Sequence, residues 1–268
     1  MSHEWAITAK TPPTPAFFEF WAGVNELSNQ VYDAGFAVAH PIEAYPGGQY
    51  QKHHDLTRRS VKAFFLKLLR LGWCGWAHFG IPCKMWSALA LINGGSRRRH
   101  MPLGSGQQPA EVQANVEVEW MVTAIYTLLK QKAWVTIENP WASILFYHPA
   151  VVRLLDQGCF FVYFDQCMHG LRSPSGAPKE IWRKGTFLLT NASAFAALQR
   201  TCSGLHKHAQ ILGTIKVHGR CFARSALAGR YPVLLCKRMA QAAVAQKACD
   251  DSGPAWREES ESAGDLAI

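Results

Sequence analysis

Residues Ala16–Ala34 read AFFEFWAGVNELSNQVYDA, and this segment indicates the fold class more directly than any other. Its first part, Ala16–Trp21, is almost entirely apolar and aromatic, as in a buried strand, and is followed by Gly23. Glu26–Ala34 then carries apolar residues at helical spacing. A strand, a tight turn and a helix form the first half of a βαβ unit, which predicts an α/β fold.

The same alternation continues along the chain. Short apolar runs predict further strands at Phe36–Ile42, Trp76–Ile81, Ala133–Ile137, Cys159–Phe164 and Thr186–Thr190. Helical periodicity predicts further helices at Leu56–Leu71, Val112–Gln131 and Pro232–Ala245. Strands that alternate with helices form parallel sheets covered on both faces. We therefore expect a Rossmann-like domain with a mostly parallel sheet and helices on both faces.

The chain's 268 residues suit one substantial core. We expect this α/β domain at residues 16–249, after a flexible polar segment at 1–15 and before an acidic, disordered tail at 250–268. No run of 18 or more uninterrupted apolar residues occurs, so no membrane span is expected. Eight cysteines without an apolar leader favour a reducing compartment, either the nucleus or the cytoplasm.

The charge is unevenly distributed. The net charge is +9, but the segment from Asp250 to Ile268 holds six acidic residues and one arginine, so the rest carries +14. Such an excess suits a polyanionic partner such as nucleic acid. The alternative is a basic protein with no such partner.

Ligands of α/β sheets bind at the carboxyl ends of the strands, so residues there are the first candidates. Gly23 lets a backbone approach a ligand closely, or simply makes a tight turn. Glu43 could accept hydrogen bonds from ribose hydroxyls, or lie in a surface loop. Asp55 could serve a third strand end, or cap the helix that begins near Thr57.

Two further strand ends carry reactive side chains. Cys83 lies in a turn fixed by Pro82, beside Lys84, where a lowered thiol pKa would make it a nucleophile. Its alternative is a buried structural cysteine. Glu138 closes a fully apolar strand, where it could transfer a proton at a base edge or precede a short helix as an N-terminal carboxylate.

In this order the motifs resemble those of the C5-cytosine DNA methyltransferases, a family that uses S-adenosylmethionine. The resemblance runs from about Phe17 to Asn191. It rests on Glu19–Ser28 for the cofactor motif, Glu43 for the second-strand acidic residue, Pro82-Cys83 with Ser87 for the nucleophile motif, and Glu138-Asn139. The segment Phe164–Gly170 is similar to the strand before the family's basic motif, which would fall on Lys179, Arg183 and Lys184.

The resemblance implies a chemistry for each position. A cytosine is flipped out of the stack, Cys83 adds to its C6, Glu138 acts as the acid at N3, and Arg183 holds the base or a phosphate. The implied cofactor contacts are Phe20, Trp21, Ala22, Gly23, Glu43, Asp55 and Pro82. The implied substrate contacts are Ser87, Arg97, Arg98, Arg99, Asn139 and Lys179.

The implied partner is nucleic acid, with DNA favoured over RNA. The glycine- and arginine-rich segment Asn93–Pro109 is predicted to be a mobile basic loop that closes over it, or else a solvated run of charge. Only about forty residues separate Asn191 from the last predicted helix, so we expect no full target-recognition domain.

A second group of residues has metal-ligand chemistry. Cys202, His206 and His208 are compatible with a structural zinc ion, with Cys167, His169, His218 or Cys221 as a fourth ligand. The alternative is a polar turn with two surface histidines.

Two other functions remain open at this point. One is a nucleic-acid-binding module with this fold but without turnover. The other is a methyltransferase for a different substrate, in which Cys83 is structural.

Overall fold

The computed structural model describes residues 14–87, 90, 94–174, 180–217 and 219–252. Its strands are β1 Ala16–Phe20, β2 Cys74–Phe79, β3 Trp134–Pro140, β4 Phe160–Asp165, β5 Ile181–Trp182, β6 Gly185–Thr190, β7 His208–Ala209, β8 Thr214–Val217 and β9 Arg220–Ala223. Its α-helices are α1 Glu26–Asp33, α2 Arg59–Arg70, α3 Pro109–Lys130, α4 Pro149–Val152, α5 Arg224–Leu227 and α6 Val233–Ser252.

The main sheet has five strands in the order β1-β2-β3-β6-β4. β1, β2 and β3 are parallel, whereas β6 runs antiparallel to both β3 and β4. The sheet is therefore mixed, and the expectation of a mostly parallel sheet is wrong. An antiparallel pair such as β4 and β6 needs no helical crossover, and the residues described between these two strands contain none.

Both faces of the sheet are covered by helices, as predicted. Phe18 and Phe20 of β1 pack with α2 and α3 on one face. Phe17 of β1 and Trp76 of β2 pack with α1 and α6 on the other face. This division follows from the period of two in a strand, which sends successive side chains to opposite faces.

The predicted second strand, Phe36–Ile42, is reduced to two isolated parallel bridges. Val38 pairs with Phe17 and Ile42 pairs with Phe20, at the outer edge of β1. Pro41 lies between them and has no N–H to donate to a ladder, which limits regular pairing here.

The strand β3 extends further than predicted. Glu138 and Asn139 lie within it and pair with Leu188 and Phe187 of β6. Both polar residues are therefore held by a sheet ladder and are not in a loop beyond it.

Small structures lie on either side of β6 in the chain. β5, before it, pairs with β7, and β8 pairs with β9, as two separate two-stranded sheets. A small apolar cluster includes Leu171, Trp182 and Leu227.

The last helix is longer than predicted. α6 continues through Ser252, and Asp250 accepts a hydrogen bond from Trp134 Nε1 at 2.9 Å. The first three residues of the predicted tail therefore belong to the folded domain. The rest of that tail and residues 1–13 lie outside the described residues.

Among the described residues, no helix combines the length and the apolar character that a membrane crossing requires.

Candidate active site

The parallel strands β1, β2 and β3 end at the same edge of the sheet. After β1 the chain pairs through Val38 and Ile42 on the outer side of β1, and β2 then joins its inner side. The order of strands therefore reverses between β1 and β2. In open α/β sheets a crevice at such a point is where ligands bind.

The turn after β1 has an unusual backbone. Trp21, Gly23 and Asn25 have φ of 57°, 59° and 62°, so three residues in five adopt the left-handed region. The carboxylate of Glu43 stabilises this turn, since Oε2 accepts from Gly23 N and Oε1 from Tyr45 N, both at 3.0 Å. Each oxygen keeps a second lone pair, which is what a pair of ribose hydroxyls would require.

Not every predicted cofactor residue presents its side chain at this edge. Phe20 is fully buried and stacks on Phe79 with ring centroids 5.0 Å apart. Ala22 is also buried, and its N–H bonds to Ile42 O. Trp21 is half-buried and Gly23 is exposed, so these two can face a ligand.

Asp55 stabilises a local turn and does not cap the helix, whose N-cap residue is Arg58 and has no side-chain cap. Its carboxylate accepts from Tyr50 Oη at 2.7 Å, and from the N and Oγ1 of Thr57 at 3.0 and 2.6 Å. This turn ends just before α2, which begins at Arg59.

Two buried oxygens at the start of α1 offer further acceptors. Glu19 Oε1 and Asn25 Oδ1 have no hydrogen-bond partner among the described residues. Glu19 Oε2 accepts from the N and Oγ of Ser28. Burial raises the pKa of Glu19 to about 7. A polar ligand that donates hydrogen bonds would therefore find acceptors at this end of the crevice.

The turn after β2 carries the predicted nucleophile. Cys83 begins a short 3₁₀ turn directly after Pro82, and both residues are exposed. The buried side chain of Asn139 donates to Ile81 O at 2.8 Å, which ties this turn to β3. Asn139 therefore positions the nucleophile turn, in place of the predicted substrate contact. Ser87 makes only a local bond of 3.5 Å to Lys84 O.

The Cys83 thiol does not have the lowered pKa expected from the sequence. Although the residue is open to solvent on one side, the protein atoms around it raise the thiol pKa. The negative charge of Glu138 raises it as well, while the positive charge of Lys184 lowers it. Glu138 and Lys184 are therefore close enough to Cys83 to act on it electrostatically.

Glu138 is held by donors from three other parts of the chain. Its Oε1 lies 3.3 Å from Lys184 Nζ and 3.4 Å from Gln166 Nε2, and its Oε2 accepts from Tyr231 Oη at 3.0 Å. The glutamate is nearly buried, at 7% exposure. A buried carboxylate with several donors keeps a fixed position at the strand end.

The cation at Glu138 is Lys184, and Arg183, for which the resemblance implied a contact with the base or a phosphate, lies elsewhere. The Arg183 guanidinium instead bonds to Asp165, with Nε–Oδ1 at 3.0 Å and Nη2–Oδ2 at 3.2 Å. Adjacent side chains of an extended chain point to opposite sides, so only one of the two can face Glu138. The predicted Lys179 lies outside the described residues.

A row of buried hydrogen bonds continues behind Glu138. His78 Nε2 lies 3.0 Å from Tyr231 Oη, and His78 Nδ1 lies 2.9 Å from Thr136 Oγ1. Trp76 Nε1 donates to Thr136 Oγ1 at 3.1 Å. Burial lowers the pKa of His78 to about 3, so the ring is neutral at physiological pH.

The predicted basic loop is only partly available to a partner. Arg97 is fully buried, lies 3.6 Å from the Trp86 ring centroid, and donates to Glu111 O at 2.7 Å. The carboxylate of Glu111 accepts from Ser96 N at 2.8 Å and from Arg97 N at 3.3 Å. The described part of this loop is thus fastened to α3, and Arg97 is not a surface contact.

Arg98 and Arg99 remain exposed beside this anchor. The Arg99 guanidinium lies 5.4 Å from the Tyr147 ring centroid. The neighbouring Arg97 contacts Trp86, which lies three residues after Cys83, so the loop is anchored near the turn that carries Cys83.

An exposed aromatic ring that the sequence analysis did not single out lies near Glu138. Trp141 directly follows β3, is 54% exposed, and donates its backbone N–H to Gly185 O at 3.0 Å. A Cβ atom at position 185 would lie 2.5 Å from Trp141 Cδ1, so the ring rests against the glycine backbone. In the sequence, only its position directly after Glu138-Asn139-Pro140 indicated that Trp141 lies near the site.

The predicted metal ligands also come together, away from the crevice. Cys202, His206 and His208 join Cys167, and one potential ligand atom from each lies within 4.8 Å of the others. His169 instead bonds to Leu198 O and is not in this group. His218 lies outside the described residues.

Comparison with known proteins gives no further guide, since no protein family and no curated protein matches the chain. The site itself combines a thiol, a fixed carboxylate, an ammonium group and an exposed indole at one sheet edge. A thiol beside a carboxylate and a cation can add to an electron-poor ring and exchange protons with it.

Proposed function

We propose that this protein transfers a methyl group from S-adenosylmethionine to C5 of a cytosine in nucleic acid, on a methyltransferase-type Rossmann-like domain. The observation that carries the proposal is the pair of Glu138 in β3 and Lys184, 3.3 Å apart, close enough to the turn after the neighbouring strand β2 to act electrostatically on Cys83. These residues come from three separate segments, and Cys83 and Glu138 hold the positions that the resemblance implies for nucleophile and acid.

In the proposed reaction the Cys83 thiolate adds to C6 of a flipped-out cytosine. In its protonated form Glu138 donates a hydrogen bond to N3 and stabilises the negative charge that develops there, while Lys184 and Tyr231 hold its carboxyl group in place. When bound, S-adenosylmethionine would supply an electrophilic methyl group to C5. Loss of the C5 proton to solvent and departure of the Cys83 thiolate then restore the aromatic ring.

The crevice between β1 and β2 is the proposed cofactor site. Trp21, Gly23, Glu43 and Pro82 lie around it with exposed or half-buried surface. The free lone pairs of Glu43 suit ribose hydroxyls, and Trp21 offers an aromatic face.

The proposed partner is nucleic acid, and DNA in particular because the resemblance is to DNA methyltransferases. The exposed Arg98 and Arg99, in the loop anchored near the turn that carries Cys83, suit phosphate contacts. The exposed Trp141 suits stacking against a base, which contributes about 1–3 kcal/mol in other proteins. A DNA substrate and eight free cysteines would suit the nucleus or the cytoplasm.

The experiment that tests the proposal measures transfer of a labelled methyl group from S-adenosylmethionine to a mixture of DNA and RNA. Cys83→Ser should abolish transfer and leave cofactor binding, measured by calorimetry, unchanged. The matched control is Cys221→Ser, which alters another exposed cysteine and should retain full transfer.

Two outcomes would contradict the proposal in different ways. Transfer that persists in Cys83→Ser would mean that the cysteine is structural and the substrate chemistry is different. Absence of both transfer and cofactor binding, with DNA binding retained, would identify a binding module without turnover.

A further inference from the structure

Four potential metal ligands converge on the far side of β4 from the crevice. Cys167 lies in the 3₁₀ turn that follows β4, Cys202 and His206 lie in the loop after Leu198, and His208 is in β7. All four are half-buried. Both cysteines are free thiols, so the cluster is not a disulfide.

The distances within the cluster match a metal-binding shell. Cys202 Sγ lies 3.5 Å from the Nε2 atoms of both His206 and His208. For tetrahedral zinc, with Zn–S of about 2.3 Å and Zn–N of about 2.0–2.1 Å, neighbouring S and N ligands lie about 3.6 Å apart. These two distances agree within about 0.1 Å, and all four ligand atoms lie within 4.8 Å of one another, as a metal site requires.

The ligand atoms of the cluster are grouped around the Cys202 sulfur. Here one sulfur faces two imidazole nitrogens, and Cys167 is close to it as well. Four soft or intermediate ligand atoms that face a common point are the arrangement expected around a metal ion.

The surroundings of Cys202 hold its sulfur in position. The sulfur accepts a hydrogen bond from Gly204 N at 3.4 Å, and the backbone N–H of Cys202 donates to Asp165 Oδ2 at 2.8 Å. Gly204 has φ of +75°, a conformation that a residue with a side chain rarely adopts. Such contacts around a ligand residue orient it.

The ligand set identifies the metal and the kind of site. Two sulfurs and two imidazole nitrogens suit zinc over magnesium or calcium, which prefer oxygen. Four protein ligands leave no open position for water or substrate, so the site is structural.

The position of the cluster shows what a metal would stabilise. His208 pairs with Ile181 across β7 and β5, three residues before Lys184. On the other side, Asp165 binds both Cys202 N and the Arg183 guanidinium. The cluster therefore borders the short segment that brings Lys184 to Glu138.

We propose that Cys167, Cys202, His206 and His208 bind one structural Zn²⁺, which fastens the loop after Leu198 to the end of β4 and supports the Arg183-Lys184 segment. This metal site is independent of methyl transfer, so its test stands whether or not the protein is an enzyme.

The first test is the metal content of the full chain, purified without chelator and measured by elemental mass spectrometry. We expect one zinc per chain, and its loss in Cys202→Ser and in Cys167→Ser. Cys221→Ser and Cys249→Ser, which change exposed cysteines outside the cluster, should retain it. A wild-type chain without zinc that also fails to bind added zinc or cobalt would overturn the proposal.

A second variant guards against simple misfolding of the serine variants. His206→Cys replaces one ligand by another, so it should still bind one metal ion. Substituted with Co²⁺, it should show stronger thiolate-to-cobalt absorption than the wild type, because three sulfurs replace two. An unchanged cobalt spectrum would show that His206 is not a ligand and would overturn the four-residue set.

Hydrogen exchange locates the effect of the metal. Removal of zinc by a chelator should speed amide exchange in β5, in β7 and at Lys184, and should leave β1 and β2 unchanged. Equal acceleration in all strands would show that the metal does not support this segment in particular.

Discussion

The hydroxyl of Tyr231 lies 3.0 Å from Glu138 Oε2 and 3.0 Å from His78 Nε2. It has one proton and can donate to only one of them. If Glu138 is ionised, Tyr231 donates to the carboxylate, and the neutral His78 must then donate from Nε2 and accept from Thr136 at Nδ1. If Glu138 is protonated, each of these bonds reverses, and Thr136 donates to Ala77 O instead, at 3.4 Å.

The tautomer of His78 therefore reports the proton on Glu138. Because Lys184 Nζ and Tyr231 Oη lie 3.3 and 3.0 Å from its side-chain oxygens, Glu138 is placed as an acceptor, so we expect the Nε2–H tautomer in the free protein. Nitrogen-15 NMR of labelled histidine measures this directly. Lys184→Met should move the population toward Nδ1–H. Finding Nδ1–H in the wild type would mean that Glu138 holds the proton.

The reactivity of Cys83 should depend on Lys184. Because the thiolate is the reactive form and the thiol pKa is raised, alkylation should accelerate as the pH rises past the usual thiol range. Lys184 lowers this pKa, so Lys184→Met should shift the profile to still higher pH, whereas Lys184→Arg should not. Iodoacetamide labelling followed by mass spectrometry of the Cys83 peptide gives the profile.

The control for this experiment is Lys216→Met, which removes an exposed lysine of β8. Superimposable profiles for Lys184→Met and the wild type would show that the ammonium group does not act on the thiol.

Glu19 should make the protein less stable as the pH rises. Burial raises its folded pKa from an ordinary value of 4.5 to about 7, so the folded state holds the proton more tightly than the unfolded state. The resulting contribution of Glu19 to the free energy of unfolding is complete below a pH of about 4.5 and is lost as the pH rises through about 7. It amounts to at most about 3 kcal/mol. Urea denaturation from pH 4 to 8 should show a shallower decline in Glu19→Gln.

Glu119→Gln, on the exposed side of α3, is the matched control and should keep the wild-type pH dependence. If Glu19→Gln also keeps it, Glu19 does not titrate in this range.

Glu111 should be essential for the anchor of the basic loop. Its carboxylate holds the backbone of Ser96 and Arg97 and neutralises the buried guanidinium of Arg97. Removing one partner of a buried ion pair typically costs about 3–5 kcal/mol, so Glu111→Ala should lower the free energy of unfolding by about 3 kcal/mol. Glu119→Ala, on the same helix but exposed, should change it by less than about 0.5 kcal/mol. Similar values for the two variants would contradict the anchoring role.

Arg98 and Arg99 should account for part of the salt dependence of DNA binding. If each contacts one phosphate, Arg98→Ala and Arg99→Ala should each reduce the slope of log K against log salt by about one. Arg70→Ala, at the end of α2 that leads into the amino end of β2, should leave the slope unchanged. Fluorescence anisotropy at several salt concentrations measures this slope. Unchanged slopes in Arg98→Ala and Arg99→Ala would show that these two arginines do not contact DNA phosphates.

Much of the fold was predictable because it depends on local patterns. The apolar run that forms β1 and the helical periodicity of α2 are each patterns among residues close together in the chain, so each is visible in the sequence. For the same reason the order in which Cys83 and Glu138 follow their strands was correct. The limited pairing of Phe36–Ile42 was less evident, since it reflects a single proline at a sheet edge.

The remaining features were decided by contacts between residues far apart in the chain. Three features depend on which surfaces meet after folding. They are the antiparallel direction of β6, the contact of Lys184 and not Arg183 with Glu138, and the burial of Arg97 beside Glu111. Tyr231 is 93 residues from Glu138, and no local pattern relates the two.

The sequence by itself determined where each parallel strand lies in the chain, to within about three residues at each end, because strand periodicity is encoded by neighbours. Only the tertiary structure decided how those ends are charged and held, since desolvation and hydrogen bonding depend on the three-dimensional surroundings of each group. The raised pKa of Cys83 is the clearest case, because the thiol is exposed in one direction and enclosed by distant segments in the others.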